Sequence, residues 1–232
     1  MALRLPVSSR TYEAMQDLEH DRPDAGRQPI FNAPFLALLV AGTMPLLFWY
    51  QTGLSDFGMS MAFRPVDLEQ GRWGGLLTSM LLHGNWAHVL MNAVGALAFG
   101  TPVARLFSRG LGPLWFALLY IVGGVVAALG YGLCHIESAT PLVGASGAVF
   151  ALIGASTRLI GPVGLVIPLM HPVVLRQAAG WMVANLVVGL IGFAPGMEGA
   201  SIAWEAHAFG FVFGILAIGP LASLHRRLHR GH

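Results

Sequence analysis

Four side chains in this sequence could act together as a hydrolytic centre: His88, Asn92, Ser146 and His207. They lie in otherwise apolar stretches, "HGNWAHVLMN", "GASGAVF" and "AHAFGFVFG". An imidazole can take the proton of a hydroxyl, and the hydroxyl can then attack a carbonyl. N–H donors can hold the oxyanion that forms. These are the parts of acyl transfer. His88 and Asn92 are four apart, which puts them on one helix face. Ser146 begins an apolar run. A helix starting there directs unpaired backbone N–H groups outward and favours negative charge. Gly144 and Gly147 flank it and permit close backbone approach. Gly210 and Gly214 form a small-xxx-small pair after His207, so the helix bearing His207 can lie tightly against the one bearing Ser146.

Each residue also has an ordinary reading. A serine at a helix start is usually an N-cap. A histidine near a helix end is usually interfacial, and an asparagine in a span often bonds another helix. Glu205 is two residues from His207, faces a different side of the helix, and is expected to be an interfacial acid rather than a third catalytic member. His83, His88 and His207 invite a metal reading, but a spacing of five suits chelation poorly and the HExxH pattern is absent. No metal and no cofactor are expected. His135 and His171 are expected in loops, and His225, His229 and His232 in a solvated basic tail. The one cysteine, Cys134, excludes a disulfide framework within the chain and is expected as a packed thiol near a helix end.

The elements that must position these groups are membrane helices. The chain is 55% hydrophobic and 10% charged, with mean hydropathy +0.66, against about 25% charged residues in average soluble domains. A span needs about 20 mostly apolar residues. Six segments qualify or nearly so: about Pro34–Gly53, Asn85–Ala104, Pro113–Leu133, Ser146–Gly161, Gln177–Phe193 and Trp204–Leu221. Residues 162–176, interrupted by Pro168, Pro172 and Arg176, are expected to be a loop or interfacial segment. The expected fold is therefore an all-α polytopic membrane protein. It comprises a flexible tail (1–33), a six-helix membrane domain (34–223) and a basic tail (224–232). The first 33 residues lack the apolar core of a signal peptide. The roughly 30-residue connection after the first span contains Phe57, Phe63 and Trp73 and is expected to lie partly in the interface.

Arginines orient the spans. With the N-terminus inside, eleven arginines fall on the cytoplasmic side and only Arg64 and Arg72 fall outside. Both termini are then cytoplasmic. Spans two, four and six all enter from outside, so topology alone brings His88, Asn92, Ser146 and His207 to similar depth near the outer surface. Ionisable and polar groups within spans are functional candidates by default. Four at one depth are hard to explain as independent structural features.

At these motifs the sequence resembles the rhomboid family of intramembrane serine proteases. The resemblance covers about residues 34–223. It includes HxxxN at His88 and Asn92, GxSG at Gly144, Ser146 and Gly147, and AHxxG at His207 and Gly210. It implies that Ser146 is the nucleophile and His207 its general base, a dyad without a carboxylate. His88, Asn92 and the Ser146 backbone N–H would form the oxyanion hole, with Gly144, Gly147 and Gly210 supporting the site. The fifth helix and the following "APGMEGAS" (Ala194–Ser201) would form a gate and cap, with Met197 over the site. Two departures stand out. "FGTPVARLF" carries Arg105 where many members have a glutamate, and Arg72-Trp73 reverses the family's Trp-Arg order.

Three function classes follow. The first is a protease of transmembrane proteins, working among membrane lipids with no nucleic-acid partner. The second is an inactive rhomboid-like protein that binds transmembrane helices without cleavage. The third is a transporter, which would need a polar path through the full membrane and commonly an internal repeat. The polar groups cluster in the outer halves of the spans, no repeat is visible, and both Ser146 and His207 are present. The first class is favoured. Arginine without lysine suggests a bacterial inner membrane, with the site opening outward.

Overall fold

The computed structural model describes residues 33–160, 165–191 and 202–229. Its helices in chain order are α1 (Phe35–Gln51), α2 (Gly75–Thr78), α3 (Trp86–Leu106), α4 (Gly112–Cys134), α5 (Ser146–Ser156), α6 (Pro172–Ile191) and α7 (Trp204–His229). Four of them, α3, α4, α6 and α7, are long and apolar enough to cross a membrane, while α1 and α5 are shorter apolar helices.

The short α5 is the centre of the bundle. It has 11 residues, a length of about 16 Å at 1.5 Å per residue. It packs against α7, α4 and α3 together, and every residue from Gly147 to Ala155 except Phe150 is buried. An apolar helix with no polar face belongs in such an interior. The expected fourth span, Ser146–Gly161, is thus shortened at its far end. The helix stops at Ser156, and Arg158 begins a small hairpin in which Leu159–Ile160 pairs antiparallel with Leu165–Val166. The Arg158 guanidinium donates from Nε to the Ile167 carbonyl, just past the second strand (3.0 Å), and from Nη1 to the Ile215 carbonyl of α7 (2.9 Å).

Other boundaries also move. The expected fifth span corresponds to α6, which begins at Pro172, five residues before the expected Gln177, because proline lacks only an N–H that the first helical turn would leave unpaired. Residues 172–176, expected as loop, are helical. The expected sixth span corresponds to α7, which continues past Leu221 to His229, so residues 224–229 are helix rather than tail. His225, expected in solvent, is buried with its ring edge-on to Phe107 at 5.4 Å, because the last turns of α7 lie beside the end of α3. Cys134 is the last residue of α4, as its position suggested, but it is exposed rather than packed. The long connection from α1 to α3 is folded into short helical turns. Phe63 is fully buried, Phe57 packs edge-on against Phe48, and only Trp73 remains largely exposed. The Arg72–Asp67 ion pair lies in the same connection.

Candidate active site

The connection before α3 builds the first wall of the site. The Gln51 side chain, at the end of α1, clamps His83 reciprocally: its Nε2 donates to the His83 carbonyl and its Oε1 accepts from the His83 N–H, both at 2.9 Å. The His83 ring is buried with no partner for either nitrogen among the described residues. Burial, and next the neighbouring His88 imidazole, push it down to about 3. Asn85 then caps α3, its Oδ1 accepting from the His88 backbone N–H at 2.8 Å. This fixes His88 in the first turn and Asn92 one turn along the same face.

The approach to Ser146 is pinned by sheet-like bonds to that same connection. Phe63 and Leu142 exchange backbone hydrogen bonds (3.2 and 2.7 Å), and the Gly144 N–H donates to the Ser79 carbonyl at 2.9 Å. Gly144 has φ +125°, and a Cβ there would strike the His88 ring at Cε1 and Nε2. Glycine is required twice over, by backbone conformation and by the imidazole lying against it. On the other edge of that ring, Nδ1 accepts from the Gly84 N–H at 3.4 Å. The proton of neutral His88 therefore sits on Nε2, turned toward Gly144.

Ser146 is the first residue of α5, and no side chain caps this helix. The N-cap reading of its hydroxyl does not hold. Instead Ser146 Oγ lies 2.9 Å from His207 Nε2. Two features permit this distance. Backbone meets backbone between α5 and α7, where a Cβ on Gly210 would fall on the Gly147 carbonyl and one on Gly214 on that of Ala151. Phe150, one turn below Ser146, stacks on the His207 ring with centroids 4.2 Å apart and planes 5° from parallel.

One contributor carries no motif. Asn185, in the middle of α6 and buried, places Oδ1 3.0 Å from His207 Nδ1, while its Nδ2 donates to the Trp204 carbonyl at 2.8 Å. The signal available in sequence was only that of a single amide within an apolar span. Glu205, as its spacing indicated, turns away from His207 and bonds His135 Nε2 at 3.1 Å. His83 joins the first wall through its backbone, held by Gln51.

A cavity of about 540 Å³ opens onto these groups, lined by His88, Asn92, Ser146, Asn185 and His207. It extends between α3 (Met91, Gly95, Phe99) and α6 (Trp181, Ala184, Val188). Asn92 Nδ2 is a buried donor with no hydrogen-bond partner among the described residues. An imidazole nitrogen, a serine hydroxyl and a buried amide therefore meet at the wall of one mostly apolar cavity. The expected cap, Ala194–Ser201 with Met197, lies outside the described residues.

A profile of the Rhomboid domain matches residues 70–223. The chain is similar to the rhomboid protease GluP of Bacillus subtilis strain 168, 26% identical over 197 residues, which are 84% of this chain and 35% of that protein. It is also similar to the chloroplastic RHOMBOID-like protein 9 of Arabidopsis thaliana, 40% identical over 85 residues, 37% of this chain and 18% of that protein. The mitochondrial RHOMBOID-like protein 12 of the same plant is 28% identical over 137 residues, 50% of this chain and 38% of that protein. The chain thus spans about a third or less of the length of GluP and RHOMBOID-like protein 9.

Proposed function

Because the chain belongs to the rhomboid family, we propose that it is an intramembrane serine endopeptidase in which Ser146 is the nucleophile and His207 the general base. The observation that carries this reading is the 2.9 Å contact of Ser146 Oγ with His207 Nε2 at the wall of a cavity that also holds the unpartnered Asn92 amide. His207 Nε2 takes the hydroxyl proton as Oγ attacks the scissile carbonyl. Asn92 Nδ2, His88 Nε2–H and the Ser146 backbone N–H receive the oxyanion. His207 then gives its proton to the leaving amine. Water, activated by the same imidazole, hydrolyses the acyl-enzyme. Serine, imidazole and fixed N–H donors suffice for this chemistry, so the reading requires no metal or cofactor.

The substrates are transmembrane segments of membrane proteins, reaching Ser146 from the lipid between α3 and α6. Supporting this route, α6 is the most lightly packed of the long helices: Val174 and Asn185 are its only buried positions. In this reading residues 34–223 form the six-helix membrane domain. Both termini are cytoplasmic, following the arginine distribution, and the site opens to the outer face of a bacterial inner membrane. Peptide hydrolysis needs water, and a serine at a helix mouth beside a polar cavity provides access to it without exposing the bundle core.

The test is cleavage in proteoliposomes of a panel of single-span proteins whose helices carry small and helix-destabilising residues. Fragments would be mapped by mass spectrometry. Cutting within or beside the span that is lost in Ser146→Ala supports the proposal. Binding of the same panel without fragments would favour the inactive helix-binding alternative.

A further inference from the structure

We propose that Asn185 is the positioning residue of the dyad: it holds His207 in the Nδ1–H tautomer, and it does so from the helix that borders the substrate route. This rests on the protease reading for its consequence in catalysis, but not for the tautomer itself.

The orientation of the Asn185 amide follows from its partners. The Trp204 carbonyl can only accept, so the atom 2.8 Å from it must be the amide nitrogen. The amide oxygen then faces His207 Nδ1 at 3.0 Å, and because that oxygen can only accept, Nδ1 must carry a hydrogen. In a neutral imidazole this leaves the lone pair on Nε2, which faces Ser146 Oγ at 2.9 Å. The opposite tautomer would direct an N–H at the serine and could not take its proton. When the serine proton moves to Nε2, the imidazolium carries hydrogens on both nitrogens. Asn185 Oδ1 keeps its bond to one of them throughout.

Phe150 fixes the plane of the ring by stacking, and Asn185 fixes the assignment of its two edges. The amide does this without placing a second charge in an apolar setting. The surroundings are shaped for it. Gly189, one turn beyond Asn185 on the same face, lies where a Cβ would overlap the Trp204 side chain, which keeps α6 close to the start of α7. An amide as one of only two buried positions of α6 has no packing purpose that leucine would not serve better.

The experiment uses the full chain in detergent micelles with ¹⁵N-labelled histidine. The His207 resonances are identified by their loss in His207→Ala, and tautomers are read from nitrogen shifts and two-bond correlations. Wild type is expected to show Nδ1–H. Asn185→Asp, which retains an acceptor toward His207, is expected to preserve it. Asn185→Leu and Asn185→Ala are expected to populate Nε2–H and to slow covalent labelling of Ser146 by a serine-reactive probe about 10- to 100-fold, by analogy with the loss when groups that orient a metal-binding histidine are removed. Equal thermal midpoints separate this from simple unfolding. An Nε2–H tautomer in wild type overturns the proposal whatever the variants do, as does an unchanged Nδ1–H signal in Asn185→Leu or Asn185→Ala. The spectrum needs no activity. A wild type with Nδ1–H that never reacts at Ser146 would refute the protease reading alone, and a reactive wild type with Nε2–H would refute this one alone.

Discussion

Replacing Gly210 with alanine adds a single methyl group and tests the reason Ser146 and His207 can meet. That Cβ would fall on the Gly147 carbonyl oxygen, roughly 1 Å inside van der Waals contact. The carbonyl belongs to the backbone of a fully packed helix and cannot rotate away, so α7 must move from α5 by a comparable distance. Gly147 adjoins Ser146, and Gly210 is one turn from His207. The 2.9 Å hydrogen bond between them would stretch to about 4 Å, beyond hydrogen-bond range. A misplacement of about 1 Å costs on the order of 100-fold in rate, or about 2.7 kcal/mol of activation free energy. Overpacking should lower stability by a further 1–3 kcal/mol or so. The assay is the second-order rate of Ser146 labelling, with thermal unfolding measured in parallel. Gly42→Ala serves as control, since nothing lies within 4 Å of a Cβ there. A Gly210→Ala protein that labels at the wild-type rate with an unchanged unfolding midpoint would refute the reasoning.

Three further outcomes are expected. Asn92→Leu removes a donor with no partner among the described residues, so the unfolding midpoint should hold while kcat for peptide cleavage falls about 10²- to 10³-fold, the usual cost of one oxyanion donor. His83, held at about 3 by burial, stays neutral in the fold while the unfolded chain takes up a proton near pH 6.5. Its contribution to stability is thus present above pH 6.5 and lost as pH falls toward 3, at up to about 1.4 kcal/mol per pH unit. Unfolding midpoints between pH 7 and 4 should show this decline, and His83→Leu should make it shallower. Arg158→Met breaks the bond that fixes the hairpin to α7 at Ile215 and the one that closes it on Ile167, and should cost about 2 kcal/mol of stability, read as a lower denaturation midpoint with Ser146 labelling intact below it.

The polar groups of the site were legible because each is a costly exception in an apolar chain, and because alternate apolar segments bring their starts, with His88, Ser146 and His207, to one cavity. Ser146, His207, His88 and Asn92 needed only that argument and their local motifs. Asn185 obeys the same rule, but its partner lies 22 residues away across a helix reversal, and no spacing rule links residues on two different helices. Boundaries failed where local signals compete with packing. Pro172 looked like an interruption and is a helix start. Arg226 and Arg227 suggested a solvated tail, yet the helix continues to His229 with His225 packed edge-on against Phe107. Hydropathy made α5 appear long enough to span, since it measures apolarity and not where Arg158 must stop the helix to reach the Ile167 and Ile215 carbonyls.

The central claim is that Ser146 is an activated nucleophile. It is tested most directly by treating the purified protein, in detergent and again in lipid, with a mechanism-based serine-hydrolase probe and locating the adduct by mass spectrometry. A single adduct on Ser146 is expected, absent from Ser146→Ala and His207→Ala. A folded wild type that remains unlabelled in both environments, or is labelled equally after His207→Ala, would contradict it.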